Sequence, residues 1–358
     1  MEKSGKPSKR IIVAGIVCFV VGVASLVFGL VLGANFRLYV DGGGVRFATE
    51  HTVEILPEGM FASISVYSNT ANIEISRGVS FSAVLFTNYN DVEVSYYIND
   101  DVLYVYVEKS SVVMFYPGFG RPESLLTIYL PAHIGELRSL SITNTSYDTV
   151  IRGLVVEELS IEAGDGDVYI VDTVGYDSQI IIYNGDGLFE GLRFDGFRVG
   201  TFAGSSTFYG NNFYELFVSS QNGSIYLDGC RVTWFDANSR YGNIMARDIV
   251  TGISLDGEIV GHMYARNIFG DVLLDGAFYG RQNRANSTHG NITLYVNAIQ
   301  ESFDYRLSTN GFVYVNGERT LLTLTDTSAP NYIRALSRVG TIRLTFLYDA
   351  VSENGLIA

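Results

Sequence analysis

At 358 residues the chain is long enough for two or three average domains, although a repeat fold grows along one axis and need not divide at that length. Its net charge is −14, and residues 1–10 hold +3 of their own, so −17 falls on everything after them. Such a surface repels phosphate backbones, which excludes nucleic acid as an expected partner and leaves cationic ones open.

The basic residues of the start, Lys3, Lys6, Lys9 and Arg10, precede an uncharged run from Ile11 to Ala34. That run is close to the roughly 20 residues a helix needs to cross a bilayer, and longer than the roughly 7 to 15 of a signal-peptide core. The expectation is one N-terminal transmembrane helix over 11–34, with residues 1–10 as a basic cytoplasmic tail and the rest as an extracellular C-terminal ectodomain of a plasma-membrane protein. Gly15, Cys18, Gly22, Ser25 and Gly29 repeat at three-four spacing and place small residues on one helix face, through which two spans could form a homodimer. Glycine is common in membrane helices anyway, so the stripe equally fits an unpartnered span. Cys230 falls in an inward-facing column far from Cys18, so no disulfide within the chain is expected.

Residues 35–51, with Gly42, Gly43 and Gly44, read as a flexible tether. From Thr52 the pattern turns to alternating strands at Val53–Leu56, Ala62–Tyr67 and Asn72–Ser76. Val92–Ile98 and Val102–Val107 flank Asn99, Asp100 and Asp101, whose short polar side chains suit a hairpin turn. Leu125–Leu130 is a further strand. Before it lies an apolar loop with Met114, Phe115, Tyr116 and Phe119. These four either fold back over the solenoid side or cap its first coil, or form a contact patch for an envelope or membrane protein partner or for the membrane interface.

Residues 140–255 carry the clearest signal. Gly166, Gly185, Gly204, Gly223 and Gly242 are each nineteen residues apart, and a second column, Gly153, Asp172, Gly191, Gly210, Gly229 and Asp248, keeps the same step. Both columns favour residues that tolerate tight or left-handed turns. Between them apolar columns stay in register, such as Leu159, Ser178, Phe197, Leu216, Phe235 and Ile170, Phe189, Phe208, Leu227, Ala246. A nineteen-residue unit cannot bury a face alone, so neighbours must stack. The fold class expected is all-β, a single-strand-stacked β-solenoid (β-helix) with about 19-residue coils. It covers residues 52–346, loosens past Leu255, and ends in a frayed tail over 347–358.

One turn column reads Asp148, Asp167, Asp186, Ser205, Ser224 and Asn243, with Asp165 and Asn184 two positions earlier in their coils. With coils about 4.8 Å apart, stacked carboxylates repel unless screened, and hard oxygens so clustered suit calcium. The same residues fit a solvated turn in which Asp serves the backbone as hydrogen-bond acceptor. Glu158 with Asp177, and Asp167 with Asp186, also stand one repeat apart, near the about 5 to 5.5 Å carboxylate separation of a retaining glycosidase. The enzymatic alternative these pairs leave is a polysaccharide-active β-helix enzyme, a lyase or hydrolase, although nothing else marks a substrate cleft. No zinc spacing, P-loop or nucleophile elbow is present, and the glycine-rich pieces sit between strands, so no catalytic residue and no cofactor beyond that calcium is expected. Four glycosylation sequons, at Asn144, Asn222, Asn286 and Asn291, fit chance in a sequence rich in Asn, Ser and Thr.

The order of Ala71-Asn72-Ile73-Glu74-Ile75, Leu126-Thr127-Ile128-Tyr129-Leu130-Pro131, Gly166-Asp167-Val168-Tyr169-Ile170 and Leu307-Ser308-Thr309-Asn310-Gly311-Phe312-Val313-Tyr314-Val315 resembles the bacterial putative adhesin family of β-strand repeats. The resemblance spans roughly 52–346. It implies a membrane-anchored envelope protein, non-catalytic, acting in surface binding or adhesion or as a scaffold. The alternative it implies is a sensor of envelope stress that works through membrane partners. Gly185-Asp186-Gly187 and Gly204-Ser205-Ser206 depart from the family's turn, and looser packing is expected at both.

Overall fold

The computed structural model describes residues 17–24, 38–41, 44–47, 50–87, 92–109, 124–131, 136–254, 256–321 and 329–348. Apart from a helical stretch over 17–24 and one short 3-10 turn, the ordered elements are strands. From His51 onward every strand belongs to one continuous hydrogen-bonded network. The pairing is parallel with a constant offset of nineteen through the middle: Leu159 lies against Ser178, Ser178 against Phe197, Phe197 against Leu216 and Leu216 against Phe235. The chain is a β-solenoid, as its period predicts.

Each coil contributes two strands rather than one. Val155–Asp165 is the long one and Val168–Val171 the short one, and the pattern repeats at Val174–Asn184 with Gly187–Glu190 and beyond. The long strand kinks at Glu157 and Glu158, where two exposed residues follow each other and the pairing skips a position. Together with the two turns this gives a three-sided coil whose inward side chains alternate along every side.

The two turn columns are held by different physics. Gly153, Asp172, Gly191, Gly210, Gly229 and Asp248 all have φ between 48° and 65°, the left-handed region where glycine and aspartate cost least. In the other column the constraint every member shares is close approach, and Gly204, Gly242, Gly270 and Gly340 carry a positive φ besides. A Cβ on Gly223 would overlap the carbonyl oxygen of Gly204 and sit 2.5 Å from its carbon. The same overlap recurs from Gly185 to Gly242 and continues through Gly270, Gly290, Gly340 and Gly311, so the column is longer than its constant period discloses.

Inside, the coils are filled by aliphatic columns and, at mid-length, by aromatic rings. Phe189 and Phe208 stack with centroids 4.8 Å apart, and Phe194 and Phe197 pack edge to face at 5.0 Å. A Cβ on Gly187 would come 2.7 Å from the Phe189 ring. That turn is therefore tightly filled, not loose, and Ser206 in the next coil is fully buried. Fully burying one such ring contributes roughly 1.5–3 kcal/mol.

Both ends depart from chain order. Ser63–Ser68 pairs with Val102–Lys109 on one side and Leu137–Asn144 on the other, so the first coil lies between the second and third. At the far end Asn331–Val339 lies between Asn283–His289 and Phe303–Thr309, and the last coil is again an inner one. Antiparallel strands close both ends. Val92–Asn99 forms the expected hairpin with Val102–Lys109, its turn residues Asp100 and Asp101 at φ 49° and 61°.

The tether is not structureless. Leu38–Asp41 and Gly44–Phe47 pair antiparallel as a separate two-stranded sheet. Among the described residues no helix is long and apolar enough to cross a membrane; the described helix covers only eight residues of the expected span.

Candidate functional site

The acidic column is assembled by the turns, and its oxygens have defined partners. Asp148 Oδ1 accepts from the Asp167 amide at 2.9 Å, Asp167 Oδ1 from the Asp186 amide at 2.8 Å, and Asp186 Oδ1 from the Ser205 amide at 2.7 Å. The ladder runs on through Ser205, Ser224, Asn243, Asp271 and Asn291 to the amide of Thr341, and begins at Asn72, whose Oδ1 accepts from the Asp148 amide. Each turn thus satisfies a backbone donor of the next coil that the strand ladders leave unpaired. Asp167 Oδ2 also accepts from the Tyr169 hydroxyl at 2.9 Å, and that bond to a carboxylate pushes the phenol up to about 12. Asp165 takes its contact from Asn184 Nδ2 at 2.6 Å. Among the described residues no group of three or more His, Cys, Asp or Glu converges as metal ligands. The geometry of the column is that of a hydrogen-bond ladder.

Glu158 and Asp177 are cross-strand neighbours, but Asp177 is engaged by Arg198 at 2.7 Å, and Arg198 reaches Glu215 on its other side at 3.8 Å. The carboxylates of that column are spaced by an arginine rather than set across an open cleft. Asn144 is fully buried, its amide nitrogen contacting Thr149 Oγ1 and the Ala71 and Asp148 carbonyls, so that sequon is closed to modification in the folded chain.

Met114, Phe115, Tyr116 and Phe119 lie outside the described residues, as do Gly15, Ser25 and Gly29. Cys18 and Gly22, four apart in the described helix, are both exposed, as are all eight residues of that stretch.

The surface feature that the sequence did not disclose is a groove along the outward face of the long strands. Its floor is recessed because short side chains fall in register there: Gly200, Ser219 and Asn238 occupy one column. One depression of about 500 Å³ lies over Gly200, Gln221 and Arg240, and another of about 570 Å³ lies over Tyr264, Asn286 and Ser308. Aromatic rings flank it. Phe202 stacks on Tyr183 at 5.2 Å, and Tyr241, Phe269 and His289 form a continuous stack at 5.1 and 4.9 Å, with Tyr241 and Phe269 each more than 40% exposed. No single period marks these positions, because the outward residues vary from coil to coil. His262 lies beside the groove, and burial holds its imidazole below the ordinary value against the opposing pull of Asp236.

The family model described as Toastrack DUF4097 matches residues 34–311. Among curated proteins none matches the chain. Solved structures similar to it include one described as a putative lipid binding protein from Parabacteroides distasonis, 10% identical, covering 83% of this chain and 97% of that one with a TM-score of 0.40. Others are described as putative adhesins, from Bacteroides fragilis (13% identical, 84% and 97% covered, TM-score 0.34) and from Parabacteroides merdae (12%, 84% and 96%, TM-score 0.36).

Proposed function

The chain belongs to the Toastrack DUF4097 family, and from that premise we propose that it is a membrane-anchored, non-catalytic binding module of the cell surface. The observation that carries the reading is the groove, a long, shallow, solvent-facing channel with exposed rings, on a solenoid whose acidic turns are committed to backbone bonds. Shallow repetitive surfaces suit extended ligands, and a reaction centre needs convergent groups that this face does not assemble.

The anchor is the uncharged run 11–34. Its described part exposes eight consecutive residues, Phe19 at 73%, a surface that water disfavours and a bilayer accepts. The basic tail before it places the N-terminus in the cytoplasm and the solenoid outside. Cys18 and Gly22 on one face would let two spans approach as a homodimer, so mild oxidation in membranes is expected to give a disulfide dimer that Gly22→Leu weakens.

The test has two parts. Protease added to intact cells is expected to remove nearly everything after Asn35 and spare the basic tail; a protected solenoid would overturn the topology. Pull-down from intact membranes is expected to recover envelope polymer. Recovery of a membrane regulator alone would favour the sensing alternative, in which ten cytoplasmic residues pass the signal through partners.

A further inference from the structure

Charge is distributed unevenly along the solenoid axis. Residues 136–195 hold twelve acidic side chains against three arginines, whereas residues 196–348 hold twelve of each sign. Five of those arginines gather on the groove at its C-terminal end. Arg284, Arg334 and Arg306 are direct neighbours in register on three adjacent parallel strands, and Arg266 and Arg338 line the depression beside them. None of the five has a carboxylate within 4 Å among the described residues.

That arrangement is unfavourable by itself. Like charges side by side across strands repel at about 4.8 Å spacing, whereas Arg198 stands between Gln179 and Phe217 in register and reaches the carboxylates of Asp177 and Glu215 on either side. Arg334 adds a second, independent sign: its Nε is shut off from solvent with no hydrogen-bond partner. Further unpartnered polar atoms flank the same stretch, at Asn286 Oδ1, His262 Nδ1 and Trp234 Nε1, with His262 paired to Trp234 across the strands. An unpartnered buried donor such as Arg334 Nε costs about 1–3 kcal/mol, and that cost falls on the same column as the like-charged row.

We propose that this end of the groove binds a linear acidic polysaccharide, whose carboxylate or sulfate groups seat on Arg284, Arg334 and Arg306. The proposal rests on the surface-binding reading and names its ligand class. Guanidinium forks match such anions in two-point contacts, and a row one coil apart matches a chain that repeats its charge. Tyr264 at the floor, hydrogen-bonded to Asn286 at 3.4 Å, offers a ring and a hydroxyl to a sugar. A nucleic acid is a polyanion that meets the same −17 carried after residue 10, and its binding is one of the outcomes that the test separates.

The test uses the full-length chain in detergent, with alginate as the carboxylate polymer, dextran sulfate as the sulfate polymer, and neutral dextran and single-stranded RNA as controls. Alginate or dextran sulfate is expected to bind, with affinity falling as salt rises; the better of the two identifies the anion. Arg284→Glu with Arg306→Glu is expected to weaken that binding about tenfold or more, while the paired Lys variant keeps most of it. Melting of the Glu variant should equal or exceed that of the parent, since like-charge contacts are relieved, so lost binding cannot be lost folding. Equal binding by parent and Glu variant, no preference over neutral dextran, or tightest binding to RNA would each overturn the proposal. Capture of isolated envelope material separates the two readings: uptake that the Glu variant leaves unchanged sinks the groove assignment alone, and no uptake by either protein sinks both.

Discussion

Replacing Gly223 by alanine isolates the close-approach constraint, because the φ of Gly223 lies outside the left-handed range and the new methyl group meets backbone alone. Its Cβ would overlap the Gly204 carbonyl oxygen, lie 2.5 Å from that carbon and 3.2 Å from the Ser205 amide, where ordinary contact begins at 3.4 Å. Two coils must therefore part by about an ångström at this turn. Parting them stretches the bonds that knit them there, from the Gly204 amide to the Asn222 carbonyl at 3.1 Å and from the Ser224 amide to Ser205 Oγ at 3.2 Å. Two weakened bonds at about 1 kcal/mol each, with the overpacking itself at about 1–3 kcal/mol, give a loss of about 3–5 kcal/mol. For a domain of this size that is a fall in Tm of roughly 5–8 °C. Gly210→Ala is the matched control: nothing lies within 4 Å of its Cβ, and only the left-handed φ of 61° is at stake, about 1 kcal/mol and roughly 1–2 °C. Circular-dichroism melts of the two variants under one condition decide the matter. A Gly223→Ala protein within 1 °C of the parent, or a Gly210→Ala protein that falls as far, would refute the account.

Asp167→Ala should lower Tm by a few degrees through loss of the acceptor for the Asp186 amide, whereas Asp167→Asn, which keeps an oxygen there, should change it by less than half as much; added calcium that stabilises the parent but not the Asn variant would instead reveal a cation in the column. Tyr169 should be among the last tyrosines to ionise in an absorbance titration, and because its folded value of about 12 exceeds the unfolded 10, its contribution to stability is complete below pH 10 and lost as pH rises through about 12; Asp167→Ala should remove the late phase. His262 is depressed by burial first, with Arg284 adding to the effect, so its stabilising contribution is complete above about pH 6.5 and lost as pH falls through the folded value; Arg284→Gln should move its NMR titration midpoint upward, and an unmoved midpoint would mean that the arginine's field does not reach the ring. Cys230 is 1% exposed and burial raises its thiol, so maleimide should label Cys18 in the native detergent-solubilised chain and reach Cys230 only on denaturation.

The solenoid was legible because its constraint is local and periodic. A left-handed turn at Gly153, Asp172 and Gly191 admits few residues, so the column shows through any exchange of apolar neighbours. The acidic ladder was half legible: the column of Asp148, Asp167 and Asp186 stood out, but its composition alone did not decide between a cation and the backbone as the partner. The groove was not legible. Arg284, Arg334 and Arg306 become neighbours only because a coil fifty residues later in the chain slides beneath Arg284, and no fixed period connects them. The same insertion hid Gly340 and Gly311 from the glycine column. Gly187, which read as a sign of looseness, is instead the space that the Phe189 ring occupies.

The tucked-in end coils have a mechanical consequence. Ordinary stacks yield to tension by unzipping from the outermost strand, one bond at a time. Here tension applied at the N-terminal end frees the short edge strand His51–Ile55 and then meets Ser63–Ser68, which is bonded to a neighbour on each side. At the opposite end Asn331–Val339 is clasped in the same way. Extracting either strand must shear two ladders together, so the solenoid resists being drawn out from its ends more strongly than its linear stacking alone would allow.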